Sequence, residues 1–161
     1  MADLKVLLCD ASSLARKLLK GLLEQEGGLK VIGEAADGAA CVEQVSKLRP
    51  DLVVMDLELG ATGAAEVIRQ VRANGLATQF LVVSPHAKAG EQRTREALDA
   101  GAAGFVARPA SVMQMENVQA DLARMVRPIQ PLAQGSDSGS GPKAAPRPSS
   151  GSSRSTPSTS R

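Results

Sequence analysis

Leu52-Val53-Val54-Met55-Asp56 is an apolar run closed by an acid, and Leu4-Lys5-Val6-Leu7-Leu8-Cys9-Asp10 repeats the arrangement near the N-terminus. Short, nearly continuous apolar runs have the length and character of strands buried on both faces. Each carboxylate therefore stands where a buried strand emerges into a loop, a placement suited to a metal ion and a phosphoryl group. Working outward, Phe80-Leu81-Val82-Val83 is followed by Ser84, and Gly104-Phe105-Val106-Ala107 by Arg108. Four strand ends thus carry two acids, a hydroxyl and a guanidinium.

The segments between these runs change to a helical period. Leu14, Leu18, Leu19, Leu22 and Leu23 form a stripe behind Ser12-Ser13 as caps and stop at Gly27-Gly28. Val42, Val45 and Leu48 stop before Pro50, and Val67, Ile68 and Val71 stop at Asn74-Gly75. Met115, Val118, Leu122 and Met125 follow Ser111 and end near Pro128. With Lys30–Ala35 as one more strand, five strands alternate with five helices. That alternation predicts an α/β fold, a parallel sheet covered on both faces through right-handed crossovers. In the strand order 2-1-3-4-5 the crevice opens where strands 1 and 3 lie side by side, at Asp10 and Asp56, and Ser84 and Arg108 reach the same edge. The fourth helix, within Gly90–Ala100, offers only Ala97 and Leu98 as apolar anchors, so it is expected to be loosely held.

Composition limits the other possibilities. Gly135–Arg161 is built mainly of Ser, Pro, Gly and basic residues with two alanines as its apolar content, too little to offset ordering entropy. The reading is one domain over residues 1–128 and a disordered Ser/Pro/Gly-rich linker or tail over 129–161. The formal charge is +2, and Lys143, Arg147, Arg154 and Arg161 against Asp137 place +3 of it in the tail, leaving the remainder near −1. A near-neutral globule and a sparse basic tail without aromatic residues give no nucleic-acid footprint. Cys9 and Cys41 have no metal-ligand spacing, and no run is long enough to cross a bilayer, so a reduced, cytoplasmic, membrane-free protein is expected. The single histidine, His86, follows Pro85 without a partner at ligand spacing and reads as a loop residue. A nucleotide-binding fold is excluded because Asp10-Ala11-Ser12-Ser13 lacks glycines.

In order along one domain, Lys5-Val6-Leu7-Leu8-Cys9-Asp10, Pro50-Asp51-Leu52-Val53-Val54-Met55-Asp56-Leu57-Glu58, Leu81-Val82-Val83-Ser84 and Ala97 through Gly104-Phe105-Val106-Ala107-Arg108-Pro109 resemble the receiver domain of two-component response regulators. The likeness covers nearly all of residues 4–127, and Glu58 with the run ending at Ser111 makes it most similar to the receiver half of chemotaxis protein-glutamate methylesterases. The resemblance implies a flavodoxin-like, doubly wound three-layer fold and a phosphorylation switch. Asp56 would accept a phosphoryl group from a histidine kinase, and Mg2+ would be held by Asp10, Asp56 and the backbone carbonyl of Glu58. Ser84 would donate a hydrogen bond to the phosphoryl group, Arg108 would pair with it, and Phe105 would be the aromatic that reorients on activation. The implied partners are that kinase and a downstream effector or an absent C-terminal output domain. No methylesterase activity is expected of this chain, which has one histidine and no Gly-x-Ser-x-Gly elbow.

Three departures stand out. Cys9 occupies the place of a second acid, which is expected to weaken magnesium binding, since a thiol is a poor ligand for a hard cation. Arg108 replaces a lysine, changing a point charge for a planar fork. Leu59-Gly60-Ala61-Thr62-Gly63 replaces a proline turn and is expected to be more mobile. These departures carry the alternative reading, a degenerate receiver acting as a phosphate-independent docking module. A third reading, an aspartyl-phosphate hydrolase using Asp56 and Glu58, lacks residues for a cap domain.

Overall fold

The computed structural model describes residues 3–109 and 118–132. Its main sheet contains β1 (Leu4–Cys9), β2 (Leu29–Ala35), β3 (Leu52–Met55), β6 (Gln79–Ser84) and β7 (Gly104–Ala107), all parallel, in the order β2-β1-β3-β6-β7. Counting only the strands of this sheet, that is 2-1-3-4-5. A two-stranded antiparallel hairpin, β4 (Glu58–Leu59) with β5 (Thr62–Gly63), follows β3. The helices are α1 (Ser13–Glu24), α2 (Gly38–Leu48), α3 (Ala64–Ala73), α4 (Gln92–Ala100) and α5 (Val118–Val126). No described helix is long and apolar enough to cross a membrane.

Alternation along the strands builds two cores. Leu7, Val53, Met55, Phe80 and Val82 turn to the face covered by α2, α3 and α4, through Cys41, Val45, Val67, Ile68, Val71 and Ala97. Val6, Leu8, Leu52, Val54, Leu81, Val83 and Val106 turn to the opposite face, against Leu19 and Leu23 of α1 and Val118, Leu122 and Val126 of α5. Each fully buried aliphatic side chain contributes roughly 1.5–3 kcal/mol. A one-residue slip would exchange the two faces, so the register that aligns the strand ends is firmly set.

Local signals start and stop the helices as their chemistry demands. The Ser12 hydroxyl accepts the Ala15 N–H at 3.1 Å and caps α1. Asp37 caps α2 by accepting the Ala40 N–H at 2.8 Å. Gly27 and Gly28 carry the chain from α1 to β2 at φ of 72° and 77°, where a side chain would be strained. For α5, the expected cap Ser111 and the stripe residue Met115 fall outside the described residues. The anchors of α4 differ from expectation: Ala97 is buried, Leu98 is only half-buried, and Thr94 takes the second buried position. The Thr94 hydroxyl accepts from the Lys88 N–H and donates to Glu91, so a polar residue is buried with its bonds made.

The glycine-bearing loop after Glu58 closes as a hairpin. Gly60 supplies a positive φ of 76° at the turn, while Leu57 and Leu59 are buried beneath it. Gly38 packs directly on this hairpin, where an added Cβ would lie 2.6 Å from Thr62 Cβ. Gly38→Ala is therefore expected to destabilise the protein by about 1–3 kcal/mol despite its better helix propensity. Thermal denaturation checks this, and an unchanged midpoint would show that the hairpin yields.

Candidate functional site

The parallel sheet brings Asp10, Asp56, Ser84 and Arg108 to its C-terminal edge. Asp10 is anchored at every polar atom. Its N–H donates to Ala35 O at 3.1 Å, its carbonyl accepts from Arg16 Nη1, its Oδ1 accepts the Ser12 N–H at 2.9 Å, and its Oδ2 meets Arg108 Nη2 at 3.2 Å. Arg16 is itself held by Glu34 of β2 at 2.7 Å, which braces the loop between β1 and α1. Asp56 follows the same plan. Its N–H donates to Cys9 O at 3.1 Å, Oδ1 accepts the Leu57 N–H at 2.7 Å, and Oδ2 lies 3.7 Å from the same Arg108 Nη2.

One guanidinium nitrogen thus faces one free oxygen from each carboxylate. The Arg108 side chain is 9% exposed, and its Nε is buried without a hydrogen-bond partner. The Asp10 side chain is 3% exposed and that of Asp56 15%, which makes Asp56 the reachable acid of the pair. Ser84 is fully buried at the end of β6, and its carbonyl accepts the Arg108 N–H at 3.2 Å. Its hydroxyl accepts the His86 N–H at 3.1 Å, leaving its own proton available to donate. His86 enters only through its backbone. Phe105 sits half-buried on β7 against the α2-α3-α4 core. The Glu58 side chain is exposed and pairs with Arg93 of α4, which also pairs with Glu91 at 2.9 Å. Arg93 therefore ties the start of α4 to the hairpin beside Asp56, an arrangement sequence reading missed because no local pattern links residues 35 positions apart.

The donor set fits a hard divalent cation in part. Asp10 and Asp56 each present one carboxylate oxygen not engaged by a backbone N–H, and Mg2+ is commonly bound by one or two carboxylates with waters completing the shell. Among the described residues no group of three or more metal-ligating side chains occurs. Cys9 adds no ligand, since its buried thiol is turned onto Asp37 O at 3.9 Å. Hydrogen bonding with Cys41 and burial push its pKa far up, so it contributes no charge. Two acids and one arginine are what remains.

Burial raises the Asp10 carboxyl above its ordinary 3.8, reinforced by the Asp56 charge and opposed first by the Ser12 N–H and then by Arg108. A raised folded-state pKa means that the native protein takes up this proton at higher pH than the unfolded chain. The resulting stabilisation is complete below 3.8 and is lost as pH rises through the folded-state value. The melting temperature of the parent minus that of Asp10→Asn is therefore expected to become more positive as pH falls from 7 into the acid range. A difference independent of pH would show that Asp10 titrates as it does in the unfolded chain.

The response regulator receiver domain family matches residues 6–119. A protein-glutamate methylesterase/protein-glutamine glutaminase of Nocardioides sp. is 35% identical over 135 residues, covering 81% of this chain and 37% of that protein. A similarly described protein of Paramagnetospirillum magneticum is 37% identical over 147 residues, covering 90% of this chain and 40% of that protein. The chain spans less than half the length of these relatives. The response regulator domain of Thermotoga maritima CheB superposes with a TM-score of 0.74 at 29% identity, covering 79% of this chain and 96% of that one. Fold, strand-end residues and relatives agree: the chain belongs to the response regulator receiver domain family and is similar to the receiver portion of protein-glutamate methylesterases.

Proposed function

We propose that this receiver is a phosphorylation switch in a two-component, chemotaxis-type relay, with Asp56 as the acceptor and a histidine kinase as the donor. The observation that carries the reading is the convergence of Asp10 Oδ2 and Asp56 Oδ2 on Arg108 Nη2, with Asp56 the more exposed acid. An Asp56 carboxylate oxygen attacks the phosphorus while the bond from phosphorus to the donor nitrogen breaks, and the electron pair leaves with the donor imidazole. Asp10, Asp56 and the Glu58 carbonyl would hold Mg2+, which when bound neutralises charge on the phosphoryl oxygens. The Ser84 hydroxyl donates to one of those oxygens. Arg108 turns its buried, unpartnered Nε and its fork toward another, satisfying an otherwise orphaned donor.

The readout is a population shift in α4 and around Phe105 that alters a protein-binding face. Similarity to methylesterase receivers supports the output domain of such an enzyme, or a separate effector, as the partner of this switch. Hydrogen exchange across residues 90–100 is expected to change when the protein is treated with a small acyl phosphate and magnesium. Exchange that stays the same while Asp56 carries a phosphoryl group would overturn the switch. Absence of any phosphoryl transfer, with the fold intact, would favour the phosphate-independent docking module.

A further inference from the structure

At the N-terminal edge of the sheet, a second buried carboxylate has no role in the reading above. Asp51 is 1% exposed, and among the described residues no side-chain cation pairs with it. Instead, its Oδ2 accepts the Lys5 N–H and its Oδ1 accepts the Leu132 N–H, each at 2.7 Å. Its backbone joins the same knot, with its N–H on Lys5 O at 2.8 Å and its carbonyl accepting the Gln79 N–H at 3.0 Å. One residue therefore gathers the starts of β1, β3 and β6 and a segment 81 positions away.

The residue type is informative. An ionised carboxylate is an acceptor at both oxygens, whereas asparagine would turn an NH2 group toward one of the two amides. A buried charge without a cation is tolerated only when charge-assisted hydrogen bonds replace its water, and here one of the two comes from beyond α5. The segment that delivers it is docked over several residues. Ile129 N–H donates to Val126 O at 2.9 Å, and the Ile129 side chain packs on the α1-α5 core. Pro131 borders three adjoining clefts, of about 350, 580 and 600 Å³, that reach Leu4 and Leu29, Gln79 and Met125, and Lys30 and Ile32 respectively. The segment is thus a ridge dividing one depression at this pole. Residues 129–132, assigned to the tail by composition, belong structurally to the domain.

We infer that Asp51 is a latch for the C-terminal segment: residues 128–132 form a strap across the N-terminal edge of the sheet, and the Leu132 amide on Asp51 sets the point from which the following polypeptide leaves. That point is at the pole opposite Asp56, about 16 Å away along β3. The latch controls how whatever follows residue 132 is presented, and releasing it uncovers the apolar depression. It requires no chemistry at Asp56.

The test is amide hydrogen exchange at residue resolution on the full chain. In the parent, the Lys5 and Leu132 amides are expected to exchange about tenfold to a hundredfold slower than unstructured peptide, the range for a bond to a charged acceptor. Asp51→Ala should release both. Leu132→Pro removes the strap's N–H but leaves Asp51 in place, so it decides the matter even if Asp51→Ala fails to fold. It should speed exchange at Ile129 at least about tenfold while Lys5 stays protected. An unprotected Leu132 amide in the parent, or an unchanged Ile129 in Leu132→Pro, would overturn the latch.

Discussion

Asp56→Asn is expected to abolish phosphoryl incorporation completely. Intact mass of the parent, after incubation with a small acyl phosphate and magnesium, should rise by one acid-stable, base-labile phosphoryl group, and the variant should gain none. A carboxylate oxygen is the nucleophile, and a carboxamide has no comparable one. Asp10 cannot take over: it is 3% exposed at its side chain, and its two oxygens are held by the Ser12 N–H and Arg108. Glu58 is exposed but is paired with Arg93 outside the Asp10–Asp56 pair. A phosphoryl gain that persists in Asp56→Asn would place the acceptor elsewhere and overturn the assignment of Asp56.

Arg108→Ala is expected to destabilise the metal-free protein by about 3–5 kcal/mol, the cost of breaking a buried ion pair by removing one partner. The guanidinium is the counter-charge to the buried Asp10 at 3.2 Å and the partly exposed Asp56 at 3.7 Å, so its loss leaves the two acids facing each other with their hydrogen bonds to backbone and the nearby Arg16 as compensation. The same change frees both Oδ2 atoms for a divalent cation. Magnesium affinity is therefore expected to rise at least about tenfold, and saturating magnesium should restore much of the lost stability. Calorimetric titration and denaturation with and without chelator measure the two effects. Equal stability of variant and parent in chelator would show that Arg108 is not the site's counter-charge. Arg108→Lys, which keeps charge but loses the fork, should fall between the two.

The folded protein bears on the expected weakness of magnesium binding at two residues. The resemblance puts the expected deficit at Cys9, and the thiol is turned onto Asp37 O, with burial and Cys41 raising its pKa. Arg108 adds a second reason to expect it, because its Nη2 already faces the Oδ2 atoms of both acids. A lone arginine at a strand end carries no sign of this in sequence, because the pairing with Asp10 spans 98 residues. The loop after Glu58 illustrates the same limit in reverse. Its two glycines gave no sign of a hairpin, yet Gly60 makes the turn of one, with Leu57 and Leu59 buried beneath it. Thr94 behaves similarly, a polar residue buried because Glu91 and the Lys88 N–H satisfy it.

The amino-acid sequence by itself determined the five strands of the sheet, most of the helical stripes (Leu14 of α1 stands exposed, and Ala15 is buried in its stead) and, through crossover handedness, the edge at which Asp10, Asp56, Ser84 and Arg108 meet. Those features follow from local periodicity and from the need to bury both faces of a parallel sheet. Tertiary structure alone decided which oxygen of each acid faces Arg108, where the Cys9 thiol points, that Arg93 ties α4 to the hairpin, and that Asp51 holds Leu132. Each of these depends on side-chain rotamers and on contacts between residues far apart in the chain, where a difference of about an ångström separates a hydrogen bond from none.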